Sequence, residues 1–266
     1  MSSPATIDAL LDHMWQDYLA MNPQARSVRE LFEARGESVV NDHIALRTFG
    51  MDPVGIEALA APFLASGYVE CGRYTFPTKK LRAVHYQAPG KPKVFISELL
   101  LDEMPADVQD IIAALVTQLD ASETQRFDFC TRGRPWSIDA ASLERLAQVS
   151  EYAAWVAAHG FRPNHFTVLV NSLETLESLE AVNDLLTEQG IELNSSGGVI
   201  KGTPGQLLEQ SSTLANTVRV ELSEGPVDVP GCYYEFARRY VDTDGELYQG
   251  FIAASADRIF ESTDRR

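Results

Sequence analysis

Two histidines and two glutamates recur at matching points of this sequence, and an arginine stands close to the first histidine. His43 and Arg47 lie in NDHIALRTF, and His165 lies in NHFTVLVN. Glu98 sits in KVFISELL and Glu235 in CYYEFARRY, each amid apolar residues. Alternation along a strand places His43, Ala45, Arg47 and Phe49 on one face. An imidazole and a guanidinium on an otherwise apolar face are costly to bury unpartnered. A metal for His43 and an anion for Arg47 answer both. A backbone carbonyl and a carboxylate would answer them too, and this stretch taken alone favours that structural pairing. Two imidazoles and one carboxylate with open positions make the facial triad of non-haem Fe(II) oxygenases. The same donor types can hold catalytic zinc. The structural alternative for the glutamates is a salt bridge to Arg47, Arg73 or Arg238. Recurrence of His and Glu in both halves tips the balance to metal.

The elements that must position these residues repeat. The first half reads strand, helix, strand, strand, strand: a strand from 41, a helix over 55–66, then strands over 68–74, 81–87 and 94–100. The second half repeats that order: a strand from 164, a helix over 173–189, then strand-like runs at 191–194, 198–202, 217–222 and 231–240. Helices precede the first unit at 5–21 and 28–34. Residues 102–160 are mostly helical, with an irregular, partly basic stretch at 127–136. The fold class expected is α+β: two βαβββ modules enclosing a metal-containing cavity, with added N-terminal and central helices. The expected organisation is one domain over 1–266, with modules at 41–101 and 161–250 and a helical insertion at 102–160.

Composition narrows the partners. Thirty-eight acidic residues against 22 Lys and Arg give a formal net charge of −16. Phosphate backbones would be repelled over most of such a surface, so no nucleic-acid partner is expected. No apolar run approaches a membrane span, and MSSPATIDALLDHMW lacks a basic n-region, so a cytoplasmic protein is expected. Cys71, Cys130 and Cys232 show no CxxC spacing, and Cys71 and Cys232 read as small buried residues. No GxSxG elbow is present, which disfavours serine hydrolase chemistry.

The segments DHIALRTF, FPTKKLRAVHY, VFISEL, NHFTVLVN, GVIKGTPGQLLEQSSTLA and YYEFARRY together resemble the 2-oxoadipate dioxygenase/decarboxylase (hydroxyglutarate synthase) family of the vicinal oxygen chelate superfamily. The resemblance covers roughly residues 5–255, in a chain shorter than characterised members. It implies iron held by His43, His165 and Glu235, with Arg47 clamping the substrate carboxylate. Glu98 matches a ligand position in other enzymes of the superfamily and is kept as a further group at or near the metal. The implied reaction is oxidative decarboxylation of a 2-oxo dicarboxylic acid by O2 to a 2-hydroxy acid one carbon shorter.

Other residues rank lower. Lys79 or Lys80, after Pro77, could assist Arg47. The glycine-rich loop over 197–212, ending in Gln210, Ser211 and Ser212, reads equally as a lid over substrate, with Ser211 a contact, and as an ordinary hairpin loop. His85 reads as a core residue, His13 as a surface or packing residue, and His159 as a partly charged imidazole at a helix end. Two other readings remain: a hydrolase, lyase or isomerase using zinc, manganese or nickel without oxygen, and a non-catalytic ligand-binding module, which the retained His and Glu set disfavours.

Overall fold

The computed structural model describes residues 6–265. Helix α1 (Ile7–Met21) is capped by Thr6, whose side chain accepts from Ala9 N. Residue 5, the start expected for this helix, lies outside the described residues. Leu10, Met14 and Tyr18 form its buried stripe. Asn22-Pro23 ends α1 and also starts α2 (Pro23–Glu33): the Asn22 side chain accepts from Ala25 N, and proline suits a first helical position. The second helix therefore begins earlier than its apolar spacing indicates.

The first module comprises β1 (Asn41–Phe49), α3 (Ile56–Leu64), β2 (Val69–Phe76), β3 (Leu81–Gln87) and β4 (Lys93–Leu99). Three helices follow: α4 (Ala106–Val116), α5 (Ala140–Val149) and α6 (Glu151–His159). The second module begins with β5 (Pro163–Leu169), α7 (Leu179–Glu188), β6 (Lys201–Thr203) and β7 (Leu208–Ser212). A separate two-stranded ribbon, β8 (Thr217–Leu222) with β9 (Gly225–Pro230), precedes β10 (Tyr233–Arg239) and α8 (Ala253–Phe260).

The main sheet has the order β2-β3-β4-β1-β5-β10-β7-β6. It is a palindrome. β1 runs parallel to β4 as β5 does to β10, and β1 and β5 join antiparallel at the centre. Even the turns match: a one-turn helix at Pro77–Lys79 leads into left-handed Lys80, and one at Pro204–Gln206 into left-handed Leu207. Helix α8 touches both edge strands, β2 and β6, so the sheet curls until one helix bridges its margins.

Alternation divides the sheet into two faces. Phe166 and Tyr234 on the convex face pack with Trp15 and Tyr18 of α1. Their neighbours His165, Tyr233 and Glu235 fall on the concave face.

Four expectations change. Residues 191–194 form no strand beyond an isolated bridge at Leu193. The expected loop over 197–212 contains β6 and β7, and β7 pairs with β10 inside the sheet. The strand at 217–222 exists but belongs to the inserted ribbon. Cys71 is exposed, because β2 is an edge strand with an open outer face, whereas Cys232 is buried. Among the described residues no helix is long and apolar enough to cross a membrane.

Candidate metal centre

His43, His165 and Glu235 meet on the concave face, where β1, β5 and β10 are adjacent. His43 and Glu235 both lie opposite Thr167 on β5, and His165 lies one pleat away. One ligand atom from each falls within 4.8 Å of the others. All three side chains are at most 6 % exposed. His43 Nε2 is 3.5 Å from Glu235 Oε1, and His165 Nε2 is 3.2 Å from Glu235 Oε2. Ligands about 2.1 Å from a metal at adjacent octahedral positions would stand roughly 3 Å apart. The spacing fits a metal.

The tautomers fit as well. His43 Nδ1 bonds Asp42 Oδ2 at 2.7 Å, and His165 Nδ1 bonds Asn164 Oδ1 at 3.1 Å. Each Nδ1 is the donor, which leaves both Nε2 atoms as acceptors beside Glu235, and His43 Nε2 accepts from Thr167 Oγ1 at 3.1 Å. A register irregularity between Asn41 and His43 interrupts the alternation and lets Asp42 reach its neighbour's ring. Asp42 is held in turn by Arg239, Nε to Oδ1 at 2.6 Å and Nη2 to Oδ2 at 2.7 Å. Burial pushes the Asp42 carboxyl up, but Arg239 outweighs it and holds the group well below the usual carboxylate range. Burial, with His43 and Arg47 nearby, holds His165 well below the ordinary histidine value and therefore neutral. Gln210 Nε2 donates to Glu235 Oε1 at 2.6 Å.

Arg47 lies on the same face, 2 % exposed. Its guanidinium carbon stands 5.1–5.4 Å from the ring centres of Tyr152, Trp155 and Phe260. Nη1 donates to Thr263 Oγ1 at 3.0 Å, while Nε and Nη2 have no hydrogen-bond partner. The Tyr233 hydroxyl is buried beside Arg47, and its ring stacks on His165 at 4.5 Å. A cavity of about 240 Å³ reaches Arg47 past Thr78, Lys79, Lys80, Tyr152 and Thr263. Clefts of about 740 and 630 Å³ lie elsewhere and are not lined by the three candidate ligands.

Three expected residues, Glu98, Ser211 and His159, fall differently, while Lys79 lines the cavity that reaches Arg47. Glu98 pairs with Thr48, on the face opposite His43 and Arg47. Its carboxylate accepts from Ile56 N at 2.8 Å and from Arg82, so it anchors the start of α3 and stands apart from the metal set. The first-module equivalent of Glu235, opposite the residue two beyond the histidine, is Phe95. Ser211 points to α7, where its hydroxyl donates to Asn183 Oδ1 at 2.8 Å; Ser212, one residue on, shares the face of Glu235. Lys79 sits at the mouth of the small cavity, 3.4 Å from Glu261. His159 is buried, donates to Pro230 O at 2.8 Å and is pushed down to about 3, so burial overrides any helix-end charge.

The profile of the 2-oxoadipate dioxygenase/decarboxylase family matches residues 4–246. This chain belongs to that family. Its curated relative from Arabidopsis thaliana, a chloroplastic 2-oxoadipate dioxygenase/decarboxylase, is 36% identical over 96% of this chain and 76% of its own length. The hydroxyglutarate synthase of Oryza sativa, solved in complex with 2-oxoadipate, superposes with TM-score 0.89 at 31% identity, covering 99% of this chain and 97% of that one. A solved Shewanella frigidimarina NCIMB 400 protein, called a hydrolase, has TM-score 0.90 at 47% identity over 95% and 100%. The chain matches 76% and 82% of the lengths of the Arabidopsis and rice curated relatives, which are longer, and 97% of the solved rice chain. The family profile ends before the C-terminal segment that closes the site: Phe251 stands edge-on to His43 at 4.8 Å, and Thr263 meets Arg47. Sequence reasoning missed both, along with Tyr233.

Proposed function

We propose that this chain is an Fe(II)-dependent dioxygenase/decarboxylase that converts a 2-oxo dicarboxylic acid such as 2-oxoadipate to the 2-hydroxy acid one carbon shorter and CO2. The observation that carries this is the buried set of two imidazole Nε2 atoms and one carboxylate beside a buried, partly unpaired arginine. His43, His165 and Glu235 hold the metal. Iron on such a set supplies the electronic chemistry that couples O2 to a chelating 2-oxo acid. Asp42 and Asn164 keep the two imidazoles in the metal-binding tautomer. Arg47 takes a substrate carboxylate on its free N–H groups, and the three rings around it keep water away. Lys79 and Lys80 draw a dianionic substrate to the mouth of the cavity. Phe251 and α8 cover the site.

Oxygen uptake tests the reading. Metal-stripped protein reloaded anaerobically with Fe(II) should consume O2 and release CO2 in equal amounts when given 2-oxoadipate. Manganese- or zinc-loaded protein should not. Oxygen-independent turnover with zinc, manganese or nickel would replace the proposal with Lewis-acid chemistry.

A further inference from the structure

The irregular, partly basic stretch over 127–136 takes no part in the metal centre. It packs backbone to backbone against the segment that leads into β5: Gly133 N donates to Phe161 O at 3.0 Å, and Phe161 N to Gly133 O at 2.9 Å. Gly133 and Gly160 both hold positive φ, and a Cβ at Gly160 would stand 2.2 Å from Gly133 O, so the approach requires glycine. Arg134 and Arg162 are thereby brought to one cleft of about 630 Å³, which Arg219 of β8 also lines. Burial, then the charge of Arg162, holds Arg134 below the usual guanidinium value. Carboxylates answer little of this charge. Among the described residues none stands within ion-pair distance of Arg134 or Arg219. Arg134 donates to two carbonyls, Ala158 O at 3.4 Å and Glu221 O. Arg162 Nη1 meets Met21 Sδ at 2.6 Å and Asp17 Oδ1 at 3.7 Å, and its buried Nε has no partner. Burial raises the Asp17 carboxyl, which weakens it as a counter-charge. Glu221 is the one acidic residue along the lining, and Arg132 is already paired with Glu123 at 3.2 Å.

We infer that this cleft is a second ligand site, separate from the metal centre, which binds a small phosphorylated anion through Arg134, Arg162 and Arg219. Three guanidiniums from three parts of the chain line one cleft of a protein with net charge −16. Like charges held together raise the energy of the fold until an anion joins them. Pinning one segment to another explains the carbonyl bonds of Arg134. It explains neither Arg162 Nε nor Arg219, which bonds no described residue. A guanidinium fork matches phosphate oxygens two at a time, and a phosphate ester presents several of them on a dianion. A monocarboxylate would balance one charge of the three. The volume is that of a small-molecule pocket. The acidic surface elsewhere repels nucleic acid, whereas a small anion reaches the cleft alone. This site stands whether or not the metal centre performs the proposed reaction.

Calorimetry on the full chain, with fructose 1,6-bisphosphate as the probe, tests the site. One equivalent should bind, more weakly as salt is raised, and unphosphorylated fructose should not bind. Arg134→Gln removes charge-assisted bonds and should weaken binding on the order of 10-fold or more. Arg219→Gln, at an exposed position, should weaken it several-fold. Arg219 has no bond within the protein to lose, so that variant should keep its melting temperature and carries the test even where Arg134→Gln folds poorly. Arg73→Gln, on β2 and outside the cleft, removes the same charge and should bind as the wild type does. A wild type that binds no probe overturns the inference. So does Arg219→Gln with unchanged affinity, or an equal loss in Arg73→Gln, which would reduce the effect to net charge. Sulfate or the phosphorus-free tricarballylate should bind more weakly than the bisphosphate, and binding of either as tightly would overturn the assignment to a phosphorylated ligand.

Discussion

Asp42→Asn removes one charge and almost no volume, and it should damage stability and metal binding together. Asp42 uses both oxygens. Oδ1 accepts from Arg239 Nε, and Oδ2 is shared by Arg239 Nη2 and His43 Nδ1. An asparagine has one acceptor, so in either orientation its NH2 group faces a donor. Arg239 would then keep its charge at 1 % side-chain exposure with only carbonyl partners, Tyr248 O and Gly250 O, on its other nitrogen. Breaking a buried ion pair from one side costs about 3–5 kcal/mol. For a chain of this length that lowers the melting temperature by roughly 5–9 °C. Loss of an outer partner of a ligating histidine weakens metal binding roughly 10- to 100-fold. Urea unfolding would give the first quantity and anaerobic metal titration the second. The double variant Asp42→Leu/Arg239→Met removes that ion pair but leaves Lys93, whose Nζ stands 3.6 Å from Asp42 Oδ1, so it should recover part of the stability and none of the affinity. An Asp42→Asn protein within about 1 kcal/mol of wild type, binding metal as tightly, would refute the reasoning.

Two further outcomes follow from the same geometry. Glu98→Gln should cost about 1–2 kcal/mol by weakening the bonds to Ile56 N and Arg82, while urea unfolding and metal content measured side by side show full metal binding; loss of metal would place Glu98 on the wrong face. Burial lowers His159 from 6.5 to about 3, so the unfolded chain binds the extra proton between those values. Stability is therefore lost as pH falls from about 6.5 towards 3, at up to about 1.4 kcal/mol per pH unit for this group. His159→Asn, which keeps a donor for Pro230 O, should flatten the urea-midpoint profile between pH 6 and 4 by close to one proton, and an unchanged slope would contradict the burial argument.

The legible parts of this fold were those where alternation and composition agree. β1 and β5 announce themselves as apolar strands with a histidine at a matching point, and that symmetry led to the metal set. β7 was illegible for the converse reason. Its inward residues Gln210 and Ser212 serve the polar site, so LEQSS reads as a loop. Glu98 misled because matching by residue type ignored parity: pairing with Thr48 puts it on the outer face. The Asp and Asn that precede each histidine were visible, but their contact with the ring depends on tertiary geometry and on a register irregularity at each of Asp42 and Asn164. Tyr233 could have been noticed, since it lies two residues before Glu235 and hence on the same face. Phe251 and Thr263 could not, because only the closure of α8 across both sheet edges brings them to His43 and Arg47.

The central claim is that His43, His165 and Glu235 form one metal centre. Anaerobic Fe(II) titration of the wild type and of His43→Ala, His165→Ala and Glu235→Ala, each checked for folding by circular dichroism, tests it directly. The wild type should bind one tight equivalent and every folded variant none. A full equivalent retained with unchanged affinity in all three would contradict it.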